Sequence, residues 1–272
     1  MIIVDGGYLS WCYGTDVMMH RAWTTGAREK YSRQAGAVIC LDPQVSWREQ
    51  GFPSYKEARR IRTAEDPSRQ KKKDQVVQFV HNHLKPDPSL QIIQEDPLEA
   101  DDLVTMLIIL QSERGIHQKV IGTDKDLLQV PVPFDLIKKD GTVVSVSSYA
   151  NKAPKKLSSF FSSPRSVLLD LCLRGDSSDS IPPSLPPRSL DQAVSIFKNE
   201  KPFQFAYQVL GEQFLRNLIL AVLPGPVCYE DLADPAELPR LVDSGDYWRR
   251  RFRSEYEQGL IHEILQSRSS EF

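Results

Sequence analysis

Short apolar blocks, each closing on an acid, punctuate the first half of the chain. Ile2-Ile3-Val4 runs into Asp5, Ala37-Val38-Ile39-Cys40-Leu41 into Asp42, and Val120-Ile121-Gly122-Thr123 into Asp124. Runs this short predict strands buried on both faces, the habit of a parallel sheet. Asp5 on its own could equally cap a helix from Gly6 to Tyr13. Three strands that each deliver an aspartate at their carboxyl ends are a different matter, because functional groups of open α/β sheets gather there. Between them, Val76, Val77, Val80 and Leu84 space an amphipathic helix over 74–84, and a second apolar helix follows Leu98-Glu99-Ala100-Asp101-Asp102-Leu103.

Further along, Lys138 to Val144 predicts a hairpin turning at Asp140-Gly141. Ser145 to Ser163, rich in Ser, Lys and Pro, predicts a loop and a domain boundary. Beyond it come a helix over Val167–Arg174, a stiff turn over Pro182–Ser189, a helix over Leu190–Phe197, and a helix or helix pair over Phe203–Leu223. Tyr247 to Leu265 closes the chain, and its Trp248-Arg249-Arg250-Arg251-Phe252-Arg253 start reads as a solvated helix end or a phosphate patch. The fold expected is α/β, a central mostly parallel sheet with helices on both faces (1–164) and a smaller C-terminal helical region (165–272).

The chemistry concentrates at the two ends of one helix–strand unit. Glu99, Asp101 and Asp102 open a helix, where carboxylates also suit the dipole. Asp124 and Asp126 are two apart on an expected strand, so both should leave one face. Like charges this close repel and partly protonate unless a hard divalent cation, Mg²⁺ or Mn²⁺, compensates them. Later, Asp176 and Asp179 in Gly175-Asp176-Ser177-Ser178-Asp179-Ser180-Ile181-Pro182 share one face of a turn or helix start. An ordinary helix cap explains that pair equally well taken alone.

Composition changes the picture little. With 40% hydrophobic and 26% charged residues the 272-residue chain reads as an ordinary soluble globule, and no apolar run reaches membrane-spanning length. Cys12, Cys40, Cys172 and Cys228 are scattered without metal spacing, which fits a reducing cytosolic setting. The formal net charge of −2 hides a local excess of the opposite sign. Arg48, Lys56, Arg59, Arg60, Arg62, Arg69, Lys71, Lys72 and Lys73 outnumber the acids from 48 to 73. A solvated helical face is the plain reading of such a run. Tyr55 and Arg59, sharing a helical face beside Lys56, also suit base stacking and phosphate binding.

In this order the blocks resemble the 5′-nuclease family of bacteriophage and bacterial 5′–3′ exonucleases and flap endonucleases. The likeness covers Val4-Asp5-Gly6, Leu41-Asp42 with Arg48, Tyr55-Lys56-x-x-Arg59, Glu99-Ala100-Asp101-Asp102, Thr123 to Gln129 and Gly175 to Pro182, roughly residues 1 to 200. It implies a PIN-like core with a helical arch at about 43–88. Asp5, Asp42, Glu99, Asp101, Asp102, Asp124, Asp126, Asp176 and Asp179 fall on the family's metal-site acids. Lys56 falls on its catalytic lysine, and Tyr55 and Arg59 on arch positions near the scissile nucleotide. Arg48, Arg60, Arg62, Arg69, Lys71, Lys72, Lys73 and Arg188 are the candidate nucleic-acid contacts.

The resemblance further implies two-metal hydrolysis of DNA near a 5′ end or flap, RNA–DNA hybrid included, in replication or primer removal. A monomer in the cytoplasm of a bacterial or phage-infected cell, off the membrane, is the expected setting. Three departures stand out. Cys12 replaces a family arginine, Leu171 replaces a lysine, and Pro183 to Ser189 replace a glycine-rich turn that in many members ligates potassium. Proline lacks the N–H and the open backbone angles of glycine, so an altered duplex grip and no potassium site are expected. A PIN-type endoribonuclease and a non-catalytic DNA-binding relative are the alternatives.

Overall fold

The first apolar block becomes the middle of a sheet. Ile2–Asp5 forms β1, flanked by β2 (Ala37–Cys40) and β4 (Gln118–Ile121), with Ile3 in register with Val38 and Val120. Outside these lie β3 (Leu90–Ile93), β5 (Phe134–Ile137) and β6 (Val143–Ser145), giving the order β3-β2-β1-β4-β5-β6. All pairings are parallel except β5 with β6, the two strands of the expected hairpin. This computed structural model describes residues 2–8, 37–79, 90–122, 124–138, 142–146, 163–186 and 189–223. Cys12, Arg188, the Asp140-Gly141 turn, most of the Ser145–Ser163 segment, Tyr247–Leu265, and the side chains of Lys72 and Lys73 lie outside them.

Helices flank the sheet. In chain order they are α1 (Trp47–Gly51), α2 (Glu57–Glu65), α3 (Pro67–Phe79), α4 (Ala100–Glu113), α5 (Pro164–Arg174), α6 (Leu190–Phe197), α7 (Pro202–Leu210) and α8 (Glu212–Ala221). The spacing in α4 buries Leu103, Val104, Leu107 and Ile108, and the helix packs on β1, β2 and β4. The same apolar cluster takes in Leu168 and Cys172 of α5, and Phe214 and Leu218 of α8. The segment 163–223 therefore shares a core with the sheet. Leu171 is part of that core, an apolar contact where the family carries a lysine. Cys40 and Cys172 are buried free thiols. No described helix is long and apolar enough to cross a membrane.

The arch helices are the exception to this burial. α2 buries no residue and leaves Ile61 half exposed, its main helical neighbour being α3. α3 begins at Pro67, well before the helix expected from Asp74, and is described as far as Phe79. The reason is local: proline suits a first helical turn, and the Asp66 carboxylate accepts the Ser68 N–H there.

Candidate metal centre

Acids from five segments meet at the carboxyl edge of the sheet. Asp5 ends β1 almost buried, and its Oδ1 accepts the Tyr8 N–H at 3.2 Å, so it caps the turn that follows. Gly6 follows because a Cβ there would stand 2.6 Å from the Cys40 carbonyl oxygen. Asp42, just past β2, accepts the Ala100 N–H at 3.0 Å and so pins that strand to the start of α4. Burial pushes the Asp5 carboxyl up to about 7, and Asp42 and Asp124 add to the rise. Asp101 is pushed well above the carboxylate range by burial, then by Asp124, Asp5 and Asp42.

The remaining acids form a tighter group. Among the described residues, Asp126, Asp176 and Asp179 bring three carboxylate oxygens within 4.8 Å of one another. Asp126 opens a 3₁₀ turn (Asp126–Gln129), and its N–H is accepted by Asp124 Oδ1 at 2.8 Å. Asp176 and Ile181 close the next turn through two backbone hydrogen bonds of 2.8 Å, with the Ser178 N–H and hydroxyl on Asp176 Oδ1. Only glycine suits position 175: φ is +70°, and a Cβ would lie 2.4 Å from the Ile181 carbonyl oxygen. Burial, then Asp124 and Asp176, push Asp126 well up, and its buried Oδ1 has no hydrogen-bond partner.

An oxygen-only set of mutually repelling acids with an unpartnered buried oxygen fits a hard divalent cation. Cations of the protein border it. Lys56 Nζ lies 2.5 Å from Glu99 Oε1, Arg59 reaches Asp179 at 2.6 Å, and Lys125 reaches Asp176 at 2.8 Å. Burial alone would raise Glu99, but Lys56 and Arg48 bring it down to about 2. Burial works against the Lys56 ammonium, yet Glu99 and its neighbours hold it well above the lysine range. Lys56 takes a left-handed φ of 54°, and its N–H donates to the Asp179 carbonyl at 2.8 Å. The foot of α2 is thus fastened to the 176–181 turn.

Several sequence expectations need correction. Asp124 and Asp126 do not share one face of a strand, since β4 stops at Ile121 and both lie in the turn beyond. Tyr55 precedes α2 rather than sharing its face with Arg59. Its ring is buried with Phe52, Ile181 and Leu220, and its hydroxyl lies 3.1 Å from Glu99, so it is not presented for stacking. Arg48 is no surface phosphate contact: it is fully buried, bonded to Glu99 and Asp102. Asp102 spends both oxygens on Arg48 and also accepts the Trp47 Nε1–H and the Glu99 N–H, which leaves it as a counter-ion rather than a free ligand.

Glu99 is likewise engaged at both oxygens, by Lys56 and by Arg48 with Tyr55. Arg60 turns back onto the carbonyls of Pro53 and Tyr55 and onto Glu49, bracing the arch foot. Arg62, Arg69 and Lys71 are exposed, with Arg69 3.4 Å from Asp66. Sequence reasoning passed over Lys125, although a lone cation between Asp124 and Asp126 was a visible signal.

A family model described as the 5′–3′ exonuclease N-terminal resolvase-like domain matches residues 9–153, over half of the chain. The chain belongs to that 5′–3′ exonuclease family. Its fold is similar to a bacteriophage T5 flap endonuclease solved as a pseudo-enzyme-product complex with DNA and metal ions. That likeness has a TM-score of 0.63 and 16% identity, over 97% of this chain and 98% of the other. It is also similar to the T5 5′-exonuclease with zinc bound, at a TM-score of 0.61 and 15% identity, over 93% and 98% of the two chains. No curated protein matches the sequence.

Proposed function

We propose that this family member is a divalent-metal-dependent nuclease cutting DNA phosphodiesters near a free 5′ end or flap, in replication or primer removal. One observation carries the reading: acids from five chain segments converge beside Lys56 at the foot of a basic arch. Asp126, Asp176 and Asp179 would hold one Mg²⁺ or Mn²⁺, and Asp5, Asp42, Asp101 and Asp124 a second. Bound there, such ions lower the pKa of an attacking water and offset charge on the phosphoryl group. Lys56, kept charged by Glu99, is placed to meet phosphoryl oxygens as their charge grows, and the half-exposed Arg59 to orient the strand. The neighbour solved with DNA and metal ions supports the substrate class.

The test is a 5′-labelled flap duplex compared with single-stranded DNA and RNA, in Mg²⁺, Mn²⁺ or chelator. Cleavage of the flap with Mg²⁺ and none in chelator is expected. Asp126→Asn should cost at least about a hundredfold with melting temperature retained, and Lys56→Ala a similar factor with a lowered melting temperature, because it leaves the buried Glu99 without its nearest cation. Preference for single-stranded RNA would replace the reading with a PIN-type ribonuclease, and DNA binding without cleavage in either metal would replace it with a non-catalytic relative.

A further inference from the structure

The start of α4 and the 3₁₀ turn that carries Asp126 are fastened, through different side chains, to the same four residues at the end of α8. Arg48 donates from Nε to the Leu220 carbonyl at 2.9 Å and from Nη2 to the Val222 carbonyl at 2.8 Å. Its other three donors go to Glu99 and Asp102, so all five are used. From the other side, the buried Gln129 donates from Nε2 to the Ala221 carbonyl and accepts the Leu223 N–H at Oε1, both at 2.9 Å. Gln129 closes the 3₁₀ turn that Asp126 opens. That turn packs on α5, whose end leads directly into Asp176, and α5 packs on α8.

We propose that Gln129 is a positioning residue of the metal centre, acting with Arg48 through Leu220–Leu223 to fix where Asp126 stands relative to the acids at the start of α4. The strut is short and stiff. A four-residue 3₁₀ turn spans about 6 Å, so any slip of Gln129 is transmitted to Asp126 almost undamped. The amide is suited to this task because it answers one carbonyl and one N–H at once, as a backbone pairing would. Nothing in the apolar neighbours Leu127, Leu128 and Val130 needs a polar residue at that position. This inference rests on the metal-dependent reading above.

The experiment is Mn²⁺ titration of the DNA-free chain, followed by electron paramagnetic resonance, alongside melting temperature. Gln129→Met keeps the volume and removes both hydrogen bonds. It should weaken Mn²⁺ binding about tenfold, within the range seen when groups orienting a metal ligand are lost. Added to Asp126→Asn, the same change should cause no further loss, because the ligand it orients is already gone. Should Gln129→Met not fold, Gln129→Asn takes its place: it keeps the amide uncharged on a stem one methylene shorter, cannot span both partners, and should weaken Mn²⁺ binding by a smaller factor. Unchanged Mn²⁺ affinity with a lowered melting temperature would overturn the proposal, as would an equal loss in the Asp126→Asn background. A native chain that neither binds Mn²⁺ nor cleaves DNA would overturn the nuclease reading instead.

Discussion

Two carboxyls of the acidic cluster are driven in opposite directions, and this sets how the molecule answers pH. Asp5, buried among other acids, rises to about 7, whereas Glu99, buried between Lys56 and Arg48, falls to about 2. A raised carboxyl binds its proton in the folded chain over a range where the unfolded chain has lost it. Its stabilising contribution is therefore full below about pH 4 and lost as pH climbs to about 7, on the order of a few kcal/mol. Asp101 and Asp126 act in the same direction. Glu99 contributes stability above pH 4 that is lost only on acidification towards 2. Urea unfolding in chelator should show stability declining from pH 5 to 7.5, and Mn²⁺ should abolish the decline; a flat profile in chelator contradicts this. Asp5, Asp42 and Asp124 were legible from the strand ends. The roles of Arg48, Asp102 and Tyr55 were not, because their partners sit 51, 54 and 44 positions away and declare themselves only on packing.

Local grammar explains which elements could be read and which could not. β1, β2 and the helix Leu190–Phe197 follow from apolar runs and stand where the pattern put them, whereas β4 runs from Gln118 to Ile121, two residues ahead of the expected Val120–Thr123. The strand expected through Asp126 stops at Ile121: its last pairs are Val4–Ile121 with β1 and Ile121–Ile137 with β5, and Asp5, the next residue of β1, pairs only with Cys40 of β2. Asp124 then captures the Asp126 N–H and turns the chain. The 176–181 turn has a comparable dependence on a single residue. Gly175→Ala would combine a left-handed φ with a Cβ against the Ile181 carbonyl, and should cost about 2–3 kcal/mol in urea unfolding. Because Asp176 and Asp179 ride on that turn, Mn²⁺ affinity should fall with it, whereas Gly51→Ala, where a Cβ meets nothing within 4 Å, should leave both unchanged.

At the scale of the molecule, the described helices differ most in how much of each is buried. α4 is buried along most of its length and α2 not at all, so the two should open independently. Hydrogen exchange should be orders of magnitude faster over 57–65 than over 103–109; equal protection would mean the arch is packed in solution. The α/β class and the convergence of acids were legible from the whole sequence. The incorporation of 163–223 into the same core was not, since amphipathic helices do not say which surface they cover. One further outcome lies in the strand order. β1 precedes the other described strands along the chain and is central in the sheet, whereas Asp176 and Asp179 follow every other acid of the cluster. A chain cut before residue 176 would thus keep Asp126 while losing both carboxylates that stand against it, and should lose with them the Mn²⁺ affinity of that group.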